Sequence, residues 1–415
     1  MQVTSRIPAA GCDGSSRNAR ATGGTSDRTH PPLRPCQFHS HVIKESDSTP
    51  KVSEASGGYL IGLAQGQPSP EEQLAFLAKL QRIFEEGEFT ATYKFALLVA
   101  LTELAVERGG DDNRALPLQI RWLAEKFAEL YWPQTIEYST GAVGTTPALL
   151  AQNLGATARV VSVLTNLRRS SGASTIAMAK RSVQWDAALR EIAHTVRAQP
   201  LKYLQNVGGA TVPFLYQFAE EPGWIELRPG VASNLRKFQG LVHQIARAGW
   251  VRHVRENPRN TGAIGAVGDL EAFMFGLSRA SLEPARDFLA KLQSRRCFYC
   301  RESIGLQGEV DHFVPWSRYP RDLAHNFVLA HSTCNRSKSD MLAGLVHLEH
   351  WRQRNLEHGE TIVGELGERG FLVDPMCSLV VARWAYQQAA NTGAHAWTSA
   401  SKIDAIGPEY IAALR

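Results

Sequence analysis

Between Cys297 and Asp340 the chain reads CFYCRESIGLQGEVDHFVPWSRYPRDLAHNFVLAHSTCNRSKSD, with a pair of soft metal ligands near each end. Cys297 and Cys300 form a CxxC knuckle, and His331 and Cys334 form an HxxC pair that follows an apolar run. Ligands at i and i+3 in a tight turn point at one centre. Two such turns close the tetrahedron of three thiolates and one imidazole that structural zinc prefers. A closed tetrahedron keeps no position open for water, so this metal is expected to hold the fold together rather than to react.

Between the two pairs lies Val310-Asp311-His312-Phe313-Val314-Pro315, an apolar strand end interrupted by an acid and an imidazole and stopped by proline. Alternation along a strand sends Asp311 and His312 to opposite faces unless the ladder bends there, and a bend would let the carboxylate reach a metal while the imidazole approaches a water. After a loop rich in Trp, Arg, Tyr and Pro, Asn326-Phe327-Val328-Leu329-Ala330 reads as the returning strand of a hairpin. Ser332 or Thr333 can then cap a short helix that carries Asn335 and Lys338 at i and i+3 on one face.

These residues resemble the HNH nuclease family, whose ββα-metal fold carries a His in the first strand, an Asn in the second and an Asn or His on the helix. The match is close to the zinc-stabilised members. The segment is also similar to the HNH domain of the RNA-guided CRISPR effector nuclease, which shares the DH-x-V-P-x-S and N-R-x-K-S-D strings and lacks the cysteines. The resemblance implies that His312 is the general base, that Asp311 and Asn335 bind a catalytic divalent ion, and that Asn326 braces the hairpin and so orients the imidazole. His331 stands where the commonest zinc pattern has a cysteine, and imidazole is an ordinary zinc ligand.

The chemistry agrees with that assignment. A phosphodiester resists attack because its oxygens are negative and its leaving alkoxide is poor, so a catalyst needs a base for water and a cation on the phosphate. An imidazole with an ordinary pKa of about 6.5 accepts a proton at neutral pH. A carboxylate and an amide carbonyl are hard oxygen ligands that favour magnesium or manganese. Arg336 and Lys338 are then available to hold the flanking phosphates. A catalytically dead zinc module is the alternative, but His312, Asp311, Asn326 and Asn335 are all in place.

The rest of the chain sets the frame. At 415 residues and 44% apolar content it can bury two or three cores. The apolar run at residues 95–101 is too short to span a membrane and soon meets Glu103 and Glu107, so it reads as a buried helix in a cytoplasmic protein. With three cysteines assigned to zinc, Cys12, Cys36 and Cys377 leave no even set for a disulfide framework, which fits a reducing compartment. Residues 1–58 are rich in Ser, Gly, Pro, Thr and Arg and lack the apolar core of a secretory signal, so they read as a disordered tail or as residues upstream of the true start.

The fold class is mainly α: a helical domain over residues 59–290, an inserted ββα-metal module over 291–345 stabilised by the zinc knuckle, and C-terminal helices over 346–415 that pack back on the helical domain. Helices are expected from Pro70 onward, over 92–108, 116–130, 182–197, 235–253 and 379–390, with a short strand at 224–227. The glycine-rich run 262–268 reads as a flexible connector. His347 and His350 read as surface or packing residues. Residues 60–154 carry 7 Lys/Arg against 12 Asp/Glu, and residues 155–260 carry 15 against 6, so the second half is the face for a polyanion. Arg168, Arg169, Lys180, Arg181, Arg236, Lys237, Arg252 and Arg255 are its candidate phosphate contacts, and Trp250 and Tyr203 are aromatic side chains better suited to packing than to stacking on bases.

Flanks such as LRPGVASNLRKFQG and HLEHWRQRN are weakly similar to those of stand-alone bacterial HNH proteins, which implies a setting in restriction or phage defence, with a homodimer or defence-system partner. The expected activity is metal-dependent hydrolysis of DNA. The other classes are a non-catalytic zinc-stabilised adaptor that binds nucleic acid or protein, and a structured-RNA nuclease.

Overall fold

The apolar run at residues 95–101 becomes the middle of a helix buried on every side. The computed structural model describes residues 66–415 apart from 142, 156, 266–268, 277–281 and 306–307, so the tail expected over 1–58 lies outside the described residues. Helix α1 (Pro70–Glu86) starts at a capping box, in which the Ser69 hydroxyl accepts from the Glu72 amide and the Glu72 carboxylate accepts from the Ser69 amide. Helix α2 (Tyr93–Arg108) follows and buries every residue from Tyr93 to Val106, as a helix apolar all round must.

The helix expected over 116–130 begins late. Leu116–Gln119 is instead strand β1, and helix α3 runs Ile120–Tyr131. Pro117 has no N–H to donate, and β1 is an edge strand where that loss is tolerated. Helix α4 (Arg159–Ser171) was not anticipated. It starts at Ala158 without a side-chain cap and opens on two β-branched valines, both of which weaken the helical signal. Helix α5 (Trp185–Ala198) comes next, then strands β2 (Tyr216–Phe218) and β3 (Trp224–Leu227), the latter pairing antiparallel with both β1 and β2. The helix expected over 235–253 is two, α6 (Val231–Lys237) and α7 (Gln239–Glu256), which meet at Phe238.

Helix α8 (Glu283–Leu292) leads into the hairpin of β4 (Glu309–His312) and β5 (Phe327–Ala330) and helix α9 (Ser332–Lys338). Helices α10 (Leu345–Glu368) and α11 (Pro375–Asn391) follow, and Trp397 sits in a final hairpin of β6 (His395–Ser399) and β7 (Lys402–Ala405). Most of the apolar residues of α1 to α7 form one core. The C-terminal helices, expected on that first core, share a second with the α8 to α9 segment. Trp351 of α10 stacks on Phe313 at 5.1 Å, and its indole N–H donates to the His325 carbonyl at 2.9 Å. His347 and His350 pack as expected, on Trp397 and Phe298. Helix α11 still reaches the first part through Trp384, whose indole N–H donates to the Arg236 carbonyl at 3.2 Å.

A buried cluster of charges joins the two cores. Glu103 and Glu107 of α2 and Lys126 and Glu129 of α3 meet Arg321, which comes from the loop between β4 and β5. Arg321 donates its Nε–H to Glu103 Oε2 at 3.0 Å and lies 3.4 Å from Glu129, while the Tyr319 hydroxyl donates to Glu107. Burial alone would push the Glu129 carboxyl up, but Lys126, Lys180 and Arg321 outweigh it and hold the group well below the usual carboxylate range. Breaking such a pair leaves a buried charge uncompensated, which costs several kcal/mol. Arg321→Met is therefore expected to lower unfolding stability by roughly 3–5 kcal/mol, read as an earlier denaturant midpoint, whereas an unchanged midpoint would show that the cluster contributes nothing.

Candidate metal centre and catalytic hairpin

The knuckle follows α8 through Ser294 and Arg295, both with positive φ, and turns at Arg301, whose φ is 64°. Across the turn the Arg301 amide donates to the Cys297 carbonyl at 3.0 Å and the Cys297 amide to the Glu302 carbonyl at 2.9 Å. The Phe298 amide donates to the Leu329 carbonyl at 2.9 Å and ties the knuckle to β5. His331 occupies the N-cap position of α9, where Ser332 or Thr333 was expected, and Cys334 lies in the helix's first turns.

The result brings Cys297, Cys300, His331 and Cys334 together, with their ligand atoms all within 4.8 Å of one another. Cys300 Sγ is 3.2 Å from His331 Nδ1, and the His331 amide donates to Cys297 Sγ at 3.4 Å. His331 Nε2 lies 3.0 Å from the Ser303 carbonyl, an acceptor that sets the ring hydrogen on Nε2 and so leaves Nδ1 free to ligate. Burial and the neighbouring sulfurs push the Cys334 thiol up to about 12. A cation among three thiols removes that penalty, and the set fits tetrahedral zinc.

The β4–β5 ladder is regular through His312↔Phe327, so it does not bend at Asp311 and His312 and alternation holds. The two side chains take opposite faces. His312 faces the loop: its Nε2 is 2.9 Å from Asp322 Oδ1, and its ring lies between Trp316 at 5.3 Å and Phe327 at 5.2 Å. Asp311 faces α9 and the knuckle: its Oδ2 accepts from the Tyr299 hydroxyl at 2.6 Å and meets Lys338 Nζ at 3.0 Å. Burial, then the Asp311 carboxylate beside it, hold the Tyr299 phenol protonated well above its usual range, so it serves as donor.

The chain leaves the ladder after His312, and Asn326 holds it there. Its Oδ1 accepts from the Val314 amide at 2.8 Å and its Nδ2 donates to the Val314 carbonyl at 2.9 Å. Asn335 projects from α9 toward β4, where its Nδ2 donates to Glu309 Oε2 at 3.0 Å. Glu309 and Asp311 are two apart on one strand face, opposite Asn335 and Lys338 on one helix face. A cavity of about 220 Å³ opens at Glu309, Val310 and Asn335, with Arg286 on its wall.

Two expectations need correction. Lys338 is fully buried, its ammonium held by Asp311 and by the His312 carbonyl at 3.1 Å, so it cannot reach a flanking phosphate. Arg336 is exposed, with its Nε–H donating to the Ser332 carbonyl at 3.2 Å. The basic second half is also less available than its charge count implies. Arg236 is buried against Asp111, Lys180 pairs with Glu129, and Arg168 lies over the Trp132 ring with its guanidinium donating to Trp132 and Ser174 carbonyls. Trp250 is buried as expected, and Tyr203 is 41% exposed.

Tyr299, Glu309 and Asp322 had no part in the sequence reading. Strand alternation could have found Glu309, two residues before Asp311, whereas nothing local marks Asp322 as the partner of an imidazole ten residues away.

Residues 297–343 match the family model described as HNH endonuclease, and residues 73–267 match a domain of unknown function, DUF8808. No curated protein and no solved structure matches the chain. The chain thus carries an HNH-family module, with a cysteine and histidine cluster able to hold structural zinc.

Purified protein is expected to hold close to one zinc per chain, measured by elemental analysis. Cys297→Ser should release it and lower the melting temperature, while His331→Cys should retain it. Asn326→Ala strands a buried N–H and carbonyl and should cost about 2 kcal/mol or more, visible as a lower melting temperature with the zinc content unchanged.

Proposed function

We propose that the chain is a metal-dependent endonuclease that hydrolyses phosphodiester bonds in DNA. The observation that carries this reading is the His312 imidazole held at the end of β4, with Asp311 beside it on the same strand and Asn335 on the α9 helix of an HNH-family module. The donor set suits a hard cation: Asp311, Asn335 and the neighbouring Glu309 offer carboxylate and amide oxygens and no sulfur. The Tyr299 hydroxyl and the Lys338 ammonium both meet Asp311 at Oδ2, and Oδ1 would serve as the ligand atom. Asp311 and Asn335 would hold a magnesium or manganese ion, which would supply positive charge to the scissile phosphate.

The chain's own residues do the rest. His312 accepts a proton from water as the water oxygen bonds to phosphorus, and the bond from phosphorus to the leaving oxygen breaks, with solvent protonating the alkoxide. Asn326 keeps Val314 in place and thereby the strand end that carries the imidazole. Lys338 fixes Asp311 and the His312 carbonyl in one arrangement. Exposed Arg336 binds a phosphate beside the scissile one. One such site acts on one strand, so the product from supercoiled plasmid is expected to be the nicked circle.

Incubation of purified protein with supercoiled plasmid and magnesium or manganese should yield nicked circles, and His312→Ala should reduce the rate by at least about 100-fold. Equal nicking by both proteins would refute the assignment of the base. Parallel assays on labelled single strands and RNA duplexes decide the polymer: faster cleavage of RNA would replace the DNA reading.

A further inference from the structure

We infer that Asp322 is the positioning residue for the His312 imidazole, fixing which ring nitrogen receives the proton of the attacking water. The inference rests on the nuclease reading of His312. A carboxylate oxygen 2.9 Å from Nε2 requires that nitrogen to carry the hydrogen, because a carboxylate accepts and does not donate. The lone pair is then on Nδ1, and Nδ1 is the basic atom. The same carboxylate offsets the positive charge that the ring acquires when it takes the proton, as the aspartate of a catalytic triad does.

The carboxylate is held firmly enough for this task. Asp322 sits between residues anchored to other elements. Tyr319 donates to Glu107 and Arg321 is clamped by Glu103 and Glu129, while on the other side the Ala324 amide donates to the Leu372 carbonyl at 2.9 Å. The ring is equally confined, with its side chain 8% exposed between Trp316 and Phe327. The other charged groups nearby lie elsewhere: Lys338 bonds the backbone carbonyl of His312 and not its ring, and Asp311 lies on the opposite strand face. The Asp322 carboxylate is only 28% exposed, so solvent screens it weakly.

The test uses the full chain with supercoiled plasmid and manganese. Asp322→Asn, whose amide can donate to Nε2 and return the hydrogen to Nδ1, is expected to lower kcat on the order of 10–100-fold. KM for DNA, zinc content and melting temperature should stay at wild-type values, and Asp322→Glu should recover part of the rate. A role in folding alone would instead move the melting temperature. Nitrogen-15 spectra provide a readout independent of activity: the wild-type imidazole should be Nε2-protonated, and Asp322→Asn should lose that signature. Wild-type kcat in Asp322→Asn, or an unchanged imidazole signature, overturns the inference while leaving His312 as base. Wild-type protein that does not nick plasmid overturns the nuclease reading, and the spectra still decide whether Asp322 orients the ring.

Discussion

A buried ammonium without water must be answered by oxygen, and the arrangement around Lys338 follows from that requirement. Lys338 has no exposed surface, and its ammonium meets the Asp311 carboxylate and the His312 carbonyl beside the Tyr299 ring. One charge on α9 therefore fixes two consecutive residues of β4, the pair that carries the proposed chemistry. The Tyr299 hydroxyl closes the same carboxylate from the knuckle side, so the cysteine turn, the first strand and the helix meet at one oxygen. Removing the ammonium would free a buried acid as well as an imidazole-bearing strand end, and for this reason a lysine suited by sequence to phosphate binding serves the interior instead.

The two donor sets are separated by chemistry and by place. Three thiolates and an imidazole select a soft-tolerant, tetrahedral ion and enclose it, while the carboxylates and amide between β4 and α9 suit a hard ion that keeps room for water and phosphate. The two sets are connected through backbone. Phe298, within the knuckle, bonds Leu329 of β5, and the Gln293 side chain bonds both the amide and the carbonyl of the same residue. Ordering the cysteine turn thus orders the returning strand, and through its ladder the strand that bears His312.

Much of this was legible in the sequence, because the informative residues are close in the chain and their spacing is tied to local geometry. The CxxC and HxxC pairs, the hairpin and the shared face of Asn335 and Lys338 all follow from turns, alternation and helical periodicity. Less legible were features decided by distant packing. Leu116–Gln119 became a strand because β3, more than a hundred residues later, offered it an edge. The burial of Lys338, the Asp322 partner of His312 and the clamp on Arg321 depend on how separate elements meet, and a one-dimensional pattern holds no signal for them. The charge count misled for the same reason, since it cannot distinguish an arginine facing solvent from Arg236 or Arg168, whose guanidinium groups are consumed by backbone carbonyls and ring faces.

The interlocked carboxylates of α2 and α3 bear on how such a module can be reused. An HNH segment cut from this chain at its family boundaries would retain its four metal ligands yet carry Arg321 and Tyr319 without their acidic partners, and would leave Glu103, Glu107 and Glu129 with Lys126 and Lys180 but without the guanidinium that completes the cluster. It would also lose Trp351 and Arg354, which bond the His325 carbonyl just ahead of β5. The two matched regions are therefore not interchangeable cassettes: a recombinant that swaps either one inherits a mismatch at the seam.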